Sequence, residues 1–139
     1  MTRVDFYSNA PDKLMLARQI AQKAHKQGLQ ILILSEDSQL LSELNARLWL
    51  DVATSFIPHC LTTDDHAIHT PIVLGAQLGD LPHRDLLINL NAHTPDCYQQ
   101  FERLIEIVST DEADRLAARQ RWSYYKQNNH PLTNHDMSK

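Results

Sequence analysis

The sequence predicts an α/β domain with a mostly parallel sheet flanked by helices. Three observations carry that prediction. Short apolar runs alternate with segments of helical periodicity along the chain. Ile31-Leu32-Ile33-Leu34 is apolar without a break, as in a strand buried on both faces. A strand, a helix and that buried strand follow one another near the start of the chain, the pattern of a right-handed βαβ unit. The length of 139 residues suits one domain, and 42% apolar with 22% charged residues suits a packed core.

The elements follow in order. Arg3 to Tyr7 is a strand, with Val4, Phe6 and Tyr7 as strand formers. Ser8-Asn9-Ala10-Pro11-Asp12 turns into a helix, with Ser or Asn as its cap and Pro11 in its first turn. Leu14, Ala17, Ala21 and Ala24 recur at helical spacing, and Gly28 supplies the stop. After the buried strand, Ser35-Glu36-Asp37-Ser38 opens a second helix with Leu40, Leu41, Leu44 and Leu48 facing inward and Trp49 closing it. Phe56 to His59 is short and extended, with Pro58 restricting its pairing. Thr62 to Thr70 reads as a polar loop, and Ile72 to Leu74 and Leu86 to Leu90 as strands. A third helix is expected to open at Thr94-Pro95-Asp96 and to turn Phe101, Leu104, Ile105 and Val108 inward. Ser109 or Thr110 caps a fourth helix that runs to about Asn128. The domain is thus expected over residues 1–128, with 129–139 as a polar, loose tail. The sheet is expected to hold about four or five strands.

Composition excludes several functions. The longest apolar run, Ile72 to Ala76, is far short of the roughly 20 residues of a membrane span. Met1-Thr2-Arg3-Val4-Asp5 lacks the apolar stretch of a secretory signal, so the expected compartment is the cytoplasm. Only three glycines occur, and Ser8 to Asp12 stands where a dinucleotide fold would need its glycine loop. The fold is therefore expected to be Rossmann-like without a nucleotide site, and no cofactor is predicted. Glu36 and Asp37 read as helix-start acids. His66 and His69, beside Asp64 and Asp65, read as a solvated loop rather than a metal site, and His130 and His135 are assigned to the tail. Cys60 and His59 are adjacent on an extended segment and point to opposite faces, so they form no catalytic pair. No catalytic residue is predicted.

The fourth helix is more informative. Net charge is −4, yet Arg115 to Lys126 holds four bases and no acid. On a helical wheel Arg115, Arg119, Trp122 and Lys126 share a stripe about 60° wide. Such a stripe can be a solvated basic face, a site for an acidic peptide, or a single-strand site stacking bases on Trp122. Spacing alone leaves these open.

Six segments, in this order, resemble the chi subunit family of bacterial DNA polymerase III. They are Arg3-Val4-Asp5-Phe6-Tyr7; Leu48-Trp49 with Ser55-Phe56-Ile57-Pro58-His59; Pro71-Ile72-Val73-Leu74-Gly75; Arg84-Asp85-Leu86-Leu87-Ile88-Asn89-Leu90; Phe101-Glu102-Arg103-Leu104-Ile105-Glu106; and Ala118-Arg119-Gln120-Arg121-Trp122 with Tyr125-Lys126. The segment from Trp49 to His59 and the helix from Ala118 to Lys126 are together the specific part. The resemblance implies a non-catalytic adaptor in DNA replication with two protein partners. One is the psi subunit, which links chi to the clamp loader. The other is the acidic C-terminal tail of single-stranded DNA-binding protein, which ends in Phe. It implies that Arg115, Arg119, Trp122, Tyr125 and Lys126, with Leu132, receive that tail. The psi contact is expected at Trp49, Phe56, Pro58 and His59, although Trp49 and Phe56 equally suit the core. A helicase-like partner at the same surface is a further implication. Many relatives carry Gly where Asn129 stands, and Asn tolerates the left-handed backbone that such a turn needs. The alternative function is direct binding of single-stranded nucleic acid by the basic and aromatic stripe.

Overall fold

The computed structural model describes residues 2–50, with 48–50 by backbone alone, and 59–138. The elements are β1 (Arg3–Ala10), α1 (Lys13–Lys26), β2 (Ile31–Leu34), α2 (Ser38–Leu50), β3 (His59–Leu61), β4 (Ile72–Gly75), β5 (Leu86–Asn89), β6 (Arg103–Ser109), α3 (Glu112–Gln127) and β7 (Leu132–Asp136). Short 3-10 turns occupy Ala67–His69 and Tyr98–Gln100. Among the described residues seven strands form one sheet in the order β3-β4-β2-β5-β6-β1-β7, and every pairing is parallel. The α/β prediction holds, with more strands than the sequence suggests.

Alternation along the strands divides the core into two layers. Ile31, Ile33, Ile72, Leu74, Leu86, Ile88, Ile105 and Ile107 face α1 and α2, meeting Leu14, Ala17, Ala21, Leu41 and Leu44. Val4, Phe6, Leu32, Leu34, Val73, Leu87, Leu104 and Val108 face the other way. On that second face α3 supplies Ala118 and Tyr125, and the loops before β5 and β6 supply Leu78, Leu81, Tyr98 and Phe101. At the far side of the sheet, Gly75 allows the loop after β3 to approach. A Cβ there would overlap Thr62 Oγ1 and lie 2.8 Å from Thr62 Cβ. No helix among the described residues is long and apolar enough to cross a membrane.

Three local readings are corrected. The predicted third helix is β6. Leu104, Ile105 and Val108 fit a helical repeat, but Leu104 to Val108 are all buried because both sheet faces are covered. Glu106 interrupts what would otherwise read as a continuous apolar strand. The predicted loose tail contains β7, paired to β1 from Val4↔Leu132 to Ser8↔Asp136. An edge strand has one neighbour and needs little apolar surface, so its polar sequence conceals it. Polar contacts hold it instead: His135 Nε2 is 3.3 Å from Asp5 Oδ1, the His135 ring stacks on Tyr7 at 4.5 Å, and Asn9 Nδ2 donates to Asp136. His130 is likewise engaged, 3.0 Å from the Tyr98 hydroxyl. The caps differ as well. Asp12, rather than Ser8 or Asn9, caps α1 by accepting from Met15 N, and Asp111 caps α3 by accepting from Asp114 N.

Candidate functional site

Helix α3 is fixed at both ends. At its start, Asp114 accepts from the backbone N–H and hydroxyl of Ser109, each at 2.8 Å, and meets Lys13 Nζ at 3.3 Å. Burial pushes the Asp114 carboxyl up, but these hydrogen bonds and the Lys13 charge win and hold it below its ordinary value. The first turn is thereby locked to the end of β6 and the start of α1. At its end, Asn129 N donates to Lys126 O and His130 N to Tyr125 O, the paired bonds of a Schellman turn. Asn129 occupies its left-handed position at φ 63°. Gly28 ends α1 by the same pattern at φ 79°.

The middle of α3 is fastened to the sheet by a buried polar cluster. Arg121 Nε lies 3.1 Å from Glu106 Oε1, and both side chains are almost wholly buried. Asn89 and Tyr125 also donate to the Glu106 carboxylate, and Arg121 Nη1 donates to Ala92 O at 2.7 Å. Burial raises the Glu106 carboxyl above the usual range, against the pull of Arg121, Tyr125 and Asn89. Burial and then the Glu106 charge push the Tyr125 hydroxyl up, so it stays a donor.

This anchoring sorts the bases of α3. Arg121, which lies off the predicted stripe, turns into the core. Arg115, Arg119 and Trp122 turn to the opposite flank and share a cleft of about 340 Å³. Its apolar lining is Phe6, Val108, Ala118 and the half-buried Trp122, whose indole meets the Phe6 ring edge-on at 5.1 Å. Ser8, Asn9 and Asn134 add polar groups from β1 and β7. Arg115 is exposed with Glu112 at 4.0 Å, whereas Arg119 has no carboxylate partner among the described residues. The cleft thus joins two guanidinium groups to an aromatic floor. That arrangement can hold a carboxylate attached to an apolar side chain.

The other predicted site residues lie elsewhere. Tyr125 is completely buried beneath α3 and does not wall the cleft. Lys126 is exposed in the last turn, outside the cleft lining. Leu132 is half-buried on β7 and packs in the same apolar cluster as Trp122. His59 is buried on β3, at the opposite edge of the sheet from β7. Phe56 and Pro58, and the side chain of Trp49, lie outside the described residues. No local signal in the sequence marks Phe6, Val108 and Asn134 as cleft residues. They are far apart in sequence and meet only through strand order. Among the described residues no group of three or more His, Cys, Asp and Glu side chains is arranged to hold a metal ion.

The family model for "DNA polymerase III chi subunit, HolC" matches residues 1–133. The chain belongs to the DNA polymerase III chi subunit family. A chi subunit of Pseudomonas aeruginosa is 39% identical over 143 residues, covering 99% of this chain and 98% of that one. The Haemophilus influenzae chi subunit is 35% identical across 77% of this chain and 75% of its own length. The Escherichia coli chi subunit is 28% identical across 80% and 76%. The resemblance drawn from the six segments is thereby established. Membership assigns the chain to DNA replication as an accessory, not the catalytic, subunit of the polymerase.

Proposed function

We propose that this chi-family chain is a non-catalytic adaptor that links the clamp-loader complex, through psi, to the acidic C-terminal tail of single-stranded DNA-binding protein. The supporting observation is the cleft in which Arg115 and Arg119 rim the floor of Phe6, Val108 and Trp122. A tail that ends in Phe and carries aspartates complements both parts. Its terminal carboxylate pairs with Arg119, which no described carboxylate engages, and a guanidinium can grip a carboxylate with two parallel bonds. The terminal ring packs against Trp122. Arg115 and Lys126 attract the aspartates upstream, and Leu132 adds apolar surface from the cluster that Trp122 also packs against. Tyr125 acts indirectly, by holding α3 to the sheet through Glu106. Docking orders a flexible segment, so affinity is modest and falls with salt. Several tails on one oligomer raise the effective strength.

For psi, the proposed contact is Trp49, Phe56, Pro58 and His59, of which His59 stands on β3 at the other edge of the sheet. Strands β3 and β7 end the strand order, about 29 Å apart at roughly 4.8 Å per strand, which leaves room for two partners at once. His59 is buried, so its part is to shape that edge rather than to touch a partner.

The test is fluorescence anisotropy at physiological salt with an acidic, Phe-ending peptide and, separately, a bare single-stranded oligonucleotide. The peptide is expected to bind and the oligonucleotide to bind far more weakly, since net charge is −4. Arg119→Ala is expected to weaken peptide binding by about tenfold or more, the loss of one charged hydrogen-bonded pair. Its circular dichroism spectrum stays that of the parent, because Arg119 is exposed. Tighter binding to the oligonucleotide, or equal peptide affinity in the variant, overturns the proposal.

A further inference from the structure

Strand β7 is an edge strand beside the cationic cleft. Val4 N donates to Pro131 O, and Met137 N donates to Ser8 O. In a parallel ladder the two peptide groups of one residue point to the same side, and direction alternates from residue to residue. The odd-numbered positions of β7 therefore face β1. The N–H and C=O of Leu132 and Asn134 face outward, and no further strand pairs with them among the described residues. Side chains alternate too, between the two sheet faces. Asn134 lines the cleft under α3, and Leu132 packs in the same layer as Trp122. The outward peptide groups and the cleft thus belong to the same residues of the same strand.

An unpaired edge invites another strand, and proteins that leave one bare commonly use it for recognition. This edge is bounded. Pro131 precedes it, and at its far end Asp136 accepts from Ser138 N and Oγ. The open stretch accommodates about three or four residues of an extended peptide.

We infer that the acidic tail docks as an eighth strand on β7, its backbone bonded to Leu132 and Asn134 and its alternate side chains directed toward Trp122, Arg119 and Arg115. This rests on the tail-binding function proposed above and deepens it. Charge argues for that occupant: the flank of α3 above this edge carries Arg115 and Arg119, and Asn134 adds no charge of its own. An acidic strand laid there gains two guanidinium neighbours, whereas a basic one is repelled. Backbone pairing supplies affinity that does not depend on side-chain identity, and the cleft supplies the choice of an acidic, aromatic-ended sequence.

The test is a scan of the acidic, Phe-ending peptide with single N-methyl groups, read by anisotropy against the unmodified peptide. Strand addition is expected to give an alternating pattern. Methylation at every second residue should weaken binding about tenfold, and methylation between them should change it little. Hydrogen exchange of the protein is expected to slow at the amides of Leu132 and Asn134 when the peptide is bound, and not at Thr133 and His135, which already face β1. If the unmodified peptide binds but tolerates every methyl group, or leaves those two amides unprotected, strand addition is refuted and the tail-binding function stands. Should the unmodified peptide fail to bind at all, both fall together.

Discussion

Replacing Arg121 with Ala is expected to be the most damaging single change on α3. Its side chain is 3% exposed and its partner Glu106 is 0% exposed, with Nε and Oε1 at 3.1 Å. The variant leaves Glu106 buried with only Asn89 and Tyr125 as donors, and leaves Ala92 O without the Arg121 Nη1 bond. Breaking a buried pair from one side costs about 3–5 kcal/mol, because the remaining charge is uncompensated. Against a total stability of about 5–15 kcal/mol, that is a large share. The cost depends on pH. Burial already raises the Glu106 carboxyl in the native state, and without Arg121 it rises further. A carboxyl with a raised folded-state pKa favours folding below its unfolded value and loses that contribution as pH climbs through the folded one. The deficit of Arg121→Ala is therefore greatest at neutral pH and shrinks toward pH 4. Urea denaturation followed by circular dichroism at several pH values measures it. Adding Glu106→Gln to the variant should restore part of the loss at neutral pH. A deficit below about 1 kcal/mol, or one independent of pH, would refute a dry, charged anchor under α3.

Asp5→Asn should release β7 and cost about 1–3 kcal/mol at neutral pH. Burial opposes ionisation of Asp5, but Arg103 at 2.6 Å, His135 and Arg3 hold its carboxyl below the ordinary value. Its contribution is present above the unfolded pKa and is lost as pH falls through the lower folded one, so parent and variant should converge in acid melts. Gly75→Ala should cost about 1–3 kcal/mol by overpacking. Thermal melts should show partial recovery with Thr62→Ala, which removes Oγ1 and Cγ2 but keeps the Cβ at 2.8 Å. Asn129→Ala should cost about 1 kcal/mol, because its φ of 63° strains a Cβ without the local help that Asn gives. Asn129→Gly should be neutral or stabilising by the same denaturation assay.

The amino-acid sequence alone carries the sheet class, the βαβ start, the ends of α1 and α3 and the cation-bearing helix. These are local signals: apolar runs, a 3.6-residue period, Gly28, and a stretch of bases without acids. It also carried the family, through short segments spread over the chain. Tertiary structure decided the rest. Whether Leu104 to Val108 formed a helix or a strand depended on both sheet faces being covered, which no local window records. Strand β7 was hidden because its stability comes from Asp5, Tyr7 and Asn9, more than a hundred residues earlier. The helical wheel sets Arg121 apart from Arg115 and Arg119, but only the fold shows that Glu106 draws Arg121 inward while Arg115 and Arg119 open onto a cleft floored by β1 and β6. A helix can announce its own faces, but only its neighbours determine which face is buried and which meets another molecule.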